Sequence, residues 1–146
     1  MEKHIAKRGG ELFNSGYYCA ESVLLAVAEA LDISSENIPK IATGFCSGLA
    51  RTCDICGAVS GAVMGIGLAH GRSSAEETED NCYAVVQEFF RRFKSKFGSI
   101  NCLDLTGCDL STDAGRNKFE DQDTRIKCTD YVAEAVNITL NLLEEM

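Results

Sequence analysis

The sequence predicts an all-α protein: a single-domain helical bundle of five to seven helices, with a Gly/Cys-rich loop before a Gly-striped helix. Three observations point there. Several stretches repeat apolar residues at the helical period. No long alternating run of β-branched residues marks a strand. Proline occurs once, at Pro39. With 146 residues, 45% of them apolar, the chain has enough material for one core and too much for a disordered segment.

The elements follow in chain order. A first helix over residues 2–14 is interrupted by Gly9 and Gly10, which weaken it. "YYCAESVLLAVAEALD" is apolar on most sides, so this helix belongs at the centre. "SSENIPKIATGF" predicts a shorter helix. In "GAVSGAVMGIGLAHG", Gly57, Gly61 and Gly65 recur every four residues, a bare stripe that lets another backbone approach. "SAEETEDNCYAVVQEFFRRFKSKFG" is the clearest helix. Ser74 and Glu77 form a candidate capping box, acids crowd its start, bases its end, and Gly98 is a stop signal. Val85, Val86, Phe89, Phe90, Phe93 and Phe97 give it one apolar face. The last helix is expected from about Cys128 to Glu145.

The net charge of −8 argues against a nucleic-acid partner, which requires a basic face. The opening "MEKHIAKRGG" has no apolar leader core, so the cytoplasm is the expected compartment. The uncharged run from Ile55 to Gly71 is short for a membrane span, and no membrane association is expected.

Eight cysteines are present, and in a reducing compartment they point to metal or redox chemistry rather than to a disulfide framework. Cys56 immediately precedes the glycine-striped helix. Cys19 lies in the first turns of the central helix, Cys128 at the expected start of the last one, and Cys102 follows Asn101, a residue suited to capping. Unpaired N–H groups at helix starts stabilise a thiolate and lower its pKa. Cys82 lies on an apolar helix face and reads as core. Cys108 and Cys46 are left without a role. Cys53-Asp54-Ile55-Cys56 is a CxxC, whose spacing suits a reversible disulfide or two ligands of one metal. No strand precedes it as in thioredoxin-like proteins, and no second CxxC completes a zinc ribbon. His70 is accounted for by a helix C-terminus and His4 lies in the terminal segment.

"GYYCAESVLLA", "CGAVSG" and "GSINCLDLTGCDL", with a late cysteine before a final helix, resemble the C_GCAxxG_C_C family of redox-active proteins over nearly the whole chain. The resemblance implies a helical fold, a redox role and a functional set of Cys19, Cys56, Cys102 and Cys128. It also implies a bound prosthetic group such as an iron–sulfur cluster. Cys46, Cys53, Cys82 and Cys108 are extra to the pattern.

Three readings follow. In the first, Cys19, Cys56, Cys102 and Cys128 bind an iron–sulfur cluster or another soft metal for electron transfer with an unknown redox partner protein. In the second, no metal is present, Cys56 attacks a disulfide and Cys53 resolves it. In the third, the thiols are inert parts of a structural or regulatory module. The first two require the four sulfurs to converge near one pocket, with Cys53 at its rim. The glycine stripe and the phenylalanine face also suggest a homodimer.

Overall fold

The computed structural model describes residues 2–146, with side chains from His4 onward. Among the described residues the chain forms α1 (Glu2–Asn14), α2 (Cys19–Ala30), a 3-10 turn (Lys40–Phe45), α3 (Cys46–Arg51), α4 (Gly57–His70), α5 (Asp80–Phe97), α6 (Cys102–Thr106), α7 (Asp113–Phe119) and α8 (Gln122–Glu145), and no strand. The fold is all-α. The count of eight α-helices among the described residues exceeds the expected range because the short α3, α6 and α7 lie between the longer elements. No described helix is long and apolar enough to cross a membrane.

The centre is α2, whose Val23, Leu24, Ala26 and Val27 are shut off from solvent. It packs on α4 along the glycine stripe. A Cβ added at Gly61 would lie 2.6 Å from Ala20 O, and one at Gly65 would lie 2.8 Å from Val27 Cγ1. The contact therefore exists only because those positions are bare. Gly61→Ala is expected to cost about 1–3 kcal/mol through overpacking, read as a lower urea midpoint. Gly67→Ala, on the open side of the same helix, is expected to be neutral or slightly stabilising.

The long α8 packs against α1, α2, α4 and α5. Gly9 and Gly10 do not break α1. They face α8, where a Cβ at Gly9 would lie 3.0 Å from Val136 Cγ2 and one at Gly10 3.2 Å from Thr129 Cγ2. On α5, Phe89 and Phe93 are buried and stack at 5.7 Å, and Phe97 meets Tyr131 of α8 at 4.8 Å. The stripe and the inner phenylalanines are thus used within the chain.

Three boundaries differ from expectation. α5 begins at Asp80 rather than Ser74, because the Glu77 carboxylate turns back to accept the Ser73 N–H at 3.2 Å and closes a separate turn. Residues 34–45 form only a 3-10 turn from Lys40, since proline at 39 has no N–H to give a preceding turn. α8 begins at Gln122, where Asp121 caps it by accepting the Asp123 N–H at 3.2 Å. Cys128 therefore lies inside α8, away from its start.

Candidate functional site

A short pairing of two loops assembles the site. Ile55 and Asn101 form an isolated antiparallel bridge. Cys56 N–H donates to Ile100 O at 2.7 Å, and Cys102 N–H donates to Asp54 O at 2.9 Å. Asn101 then works in two directions. Its amide nitrogen donates to Cys53 O at 3.0 Å, and its carbonyl oxygen caps α6 by accepting from Leu103 N–H and Asp104 N–H. These bonds hold the start of α4, capped by Cys56, against the start of α6, opened by Cys102.

Cys19 arrives as the first residue of α2. The Glu21 carboxylate fixes that start by accepting the Tyr18 N–H at 2.9 Å and the Thr43 hydroxyl at 2.7 Å. The Cys19 sulfur lies over the bare face of Gly57, in the space a Cβ there would fill. α8 contributes Cys128 from its interior.

Together Cys19, Cys56, Cys102 and Cys128 line one small cavity of about 20 Å³, closed by apolar groups that include Phe13 and Tyr131. Cys56, Cys102 and Cys128 are buried and Cys19 is half-buried. Tyr131 is pinned by its hydroxyl, which donates to Leu105 O at 2.7 Å. The other four thiols are outside the lining. The Cys53 thiol donates to the Asp109 carboxylate at 3.1 Å. Cys108 is buried against Thr106 O and Thr124. Cys82 is half-buried on α5, packed against the core. Cys46 is buried next to Cys19. Gly57 and Gly48 make room for the sulfurs, while Gly44 faces open space.

The wall in front of the cavity is built from an unusual segment. Ser47, Gly48, Leu49 and Ala50 of α3 all have left-handed φ and ψ, and Arg51 and Cys53 also have positive φ. A left-handed conformation costs about 1–2 kcal/mol for each residue carrying a Cβ, so the surrounding contacts must hold this one. Gly48 O accepts from Thr52 N–H at 3.3 Å and Asp54 N–H at 2.9 Å. The turn delivers two things to the site. The Ser47 N–H points at the Cys19 sulfur. The bare α-carbon of Gly48 lets Cys102 come close, since a Cβ there would lie 2.7 Å from Cys102 Cβ. No sequence signal marks this turn, because Leu49, Ala50 and Arg51 are residues that avoid the left-handed region.

The four sulfurs differ electrostatically. Cys19 is lowered to about 7, first by the Cys46 thiol donating to it, then against burial by the N–H groups of Ser47, Ala20 and Cys19. The Cys46 S–H also has Ala42 O within 3.6 Å. An anionic sulfur is the stronger acceptor, so ionised Cys19 draws the proton. Cys46 itself is pushed up, which keeps it a donor. Cys56 is raised well above the ordinary thiol range by burial and then by the Cys19 charge, and the N–H groups of Ala58 and Val59 offset only part of this. Burial takes Cys102 to about 11 and Cys128 to about 12. Cys53 is raised by its bond to Asp109. The expected lowering at helix starts thus appears at Cys19 alone. Elsewhere the cost of burying a charge exceeds the gain from backbone N–H groups.

The four thiols of the cavity suit a soft metal, with no carboxylate or imidazole beside them in the lining. The spacing does not. Among the described residues no three of His, Cys, Asp or Glu stand together as a ligand set, and the cavity holds about 20 Å³, room for roughly one water-sized body. As arranged, the thiols do not form a ready site for an iron–sulfur cluster.

Residues 17–142 match the family described as "Putative redox-active protein (C_GCAxxG_C_C)". The chain belongs to the C_GCAxxG_C_C family. It is also 32% identical over 149 residues to an uncharacterized protein of Archaeoglobus fulgidus, an alignment covering 95% of this chain and 93% of that protein. No solved structure matches it. The C_GCAxxG_C_C match takes in the bridge at Asn101, the left-handed turn and all eight cysteines.

Proposed function

We propose that this C_GCAxxG_C_C protein is a thiol–disulfide redox protein whose centre is the four-cysteine cavity. The observation that carries the reading is the convergence of Cys19, Cys102 and Cys128 from three helices, and of Cys56 from the cap of a fourth, on one small apolar cavity. Inert thiols have no reason to meet in this way. Within the set, Cys19 is the attacking thiolate. Its sulfur rests over Gly57, next to Cys56, and its charge is the strongest charge felt by Cys56. That closeness supports Cys56 as the resolving thiol. The oxidised form then carries a Cys19–Cys56 bond and the reduced form two thiols, a two-electron couple. Cys53, bonded to Asp109 outside the cavity, is the rival partner for Cys56.

The second reading is a soft-metal or iron–sulfur centre on the same four thiols, supported by a lining whose only strong metal donors are those thiols and by the Cys46 thiol and Ser47 N–H donating to a ligand sulfur. One experiment separates the readings. The protein is purified without oxygen and assayed for iron, sulfide and free thiols, then equilibrated against a dithiol redox buffer. A colourless protein is expected, with one pair of thiols titrating as a unit. That pair is lost in Cys19→Ser and in Cys56→Ser and retained in Cys53→Ser. Stoichiometric iron and sulfide would select the metal reading instead. Loss of the pair in Cys53→Ser, with Cys19→Ser unaffected, would select the Cys53/Cys56 couple.

A further inference from the structure

A second cavity, of about 50 Å³, adjoins the thiol cavity, and the two share Tyr18, Ser47 and Phe119 as lining. Two guanidinium-bearing residues line it, Arg51 and Arg116. Arg116 is anchored, donating to Leu110 O at 2.9 Å and pairing with Asp113. Arg51 is exposed at the end of the left-handed turn and, among the described residues, has no hydrogen-bonded or ion-paired partner. The one acid in the lining, Glu120, faces Arg125 at 3.9 Å. A chain of net charge −8 therefore places an unpaired cation beside its thiol cavity, where its field is local and opposite to that of the whole.

We propose that this vestibule seats the carboxylate end of a small anionic disulfide and presents the disulfide sulfur to Cys19. Guanidinium groups bind carboxylates through paired, planar hydrogen bonds, which orient a ligand as well as hold it. The inference rests on the thiol–disulfide reading above and names its substrate class. The Cys19 thiolate attacks the nearer sulfur, a bond from Cys19 Sγ forms, the substrate S–S bond breaks, and the far half leaves as a thiolate. The Cys56 thiol then gives its proton to that thiolate and attacks Cys19 Sγ. The Cys19–Cys56 bond forms and the second half leaves as a thiolate. Two electrons pass from the protein dithiol to the substrate, which ends as one thiol and one thiolate.

The test uses three disulfides of similar size: dithiodipropionate (anionic), bis(hydroxyethyl) disulfide (neutral) and cystamine (cationic). Each is mixed without oxygen with the reduced protein. Initial rates are followed by thiol release, and peptide mass mapping locates the first adduct. The anionic compound is expected to react at Cys19 about tenfold faster than the neutral one, and the cationic one slowest, the reverse of what the net charge alone would give. Arg51→Gln is expected to bring the ratio of the anionic to the neutral rate from about ten down to about one. Arg51→Lys, which keeps the charge, should retain most of the preference. Glutamine and lysine are no more strained than arginine at this φ, so the turn is preserved. Rates in the order cationic, neutral, anionic would overturn the proposal, as would an anionic preference that Arg51→Gln leaves intact. A neutral disulfide that reacts at Cys19 with no anionic advantage defeats the vestibule alone. Failure of all three to react at Cys19 defeats the thiol–disulfide reading with it.

Discussion

Cys19→Ser is expected to remove the thiol that reacts fastest at neutral pH. In the reduced wild-type protein, alkylation by iodoacetamide should rise with a midpoint of about 7, the value to which Cys46, Ser47 and the α2 start bring Cys19. An ordinary thiol near 8.5 is only a few per cent ionised at pH 7, so the variant should react about tenfold more slowly there. Cys46→Ala removes the hydrogen-bond donor with the largest effect on Cys19, and the midpoint should move up towards the ordinary range. Peptide mapping supplies the check: first labelling at Cys56, Cys102 or Cys128 would mean that the burial argument is wrong.

The second large effect is loss of stability in alkali. Cys102 at about 11 and Cys128 at about 12 stay protonated in the folded chain well above the value of an ordinary thiol. Cys56 is shifted the same way. Their folded-state values are raised, so the folded state binds more protons, and stability falls as pH rises past about 8.5, where the same thiols ionise in the unfolded chain. Cys19 has the opposite sign. Its contribution is complete above about 8.5 and is lost as pH falls through the folded value of about 7. Cys102 and Cys128 alone should cost on the order of 5 kcal/mol by about pH 11, comparable to the whole stability of a small domain. Urea midpoints measured between neutral pH and about pH 10.5 should therefore fall steeply, and Cys128→Val should flatten the fall. An unchanged slope in that variant would mean that tyrosine and lysine titration, not the cavity, sets the alkaline limit.

Local signals made much of this architecture readable in advance. The glycine stripe of α4, the phenylalanine face of α5 and the left-handed Gly98 that ends it are all short-range patterns. So is Asn101, which caps α6. Cys19, Cys56 and Cys102 could be placed at helix starts for the same reason. Cys128 could not, because Asp121 begins α8 earlier and the apolar spacing of that helix gives no hint of it. The pairing of Cys46 with Cys19 was equally hidden, since it joins the 3-10 turn region to α2 across the fold. The ranking of the thiols by pKa was out of reach for a different reason. Helix starts can be read from sequence, but the burial that outweighs them depends on what closes over the cavity.

The left-handed turn also bears on how such a site is found elsewhere. Released from Cys102, Thr52 and Asp54, residues 47–51 would relax to right-handed or extended backbone, taking the Ser47 N–H away from Cys19 and Arg51 away from the vestibule. The proposed thiol centre is therefore not portable as a linear motif. A CGAxxG hexapeptide in another protein carries a cysteine, a helix start and a bare helix face, but not the conformation that distinguishes one sulfur from its neighbours. Transplanting this chemistry means moving a handedness that no run of letters encodes, together with the loop pairing at Ile55 and Asn101 that enforces it.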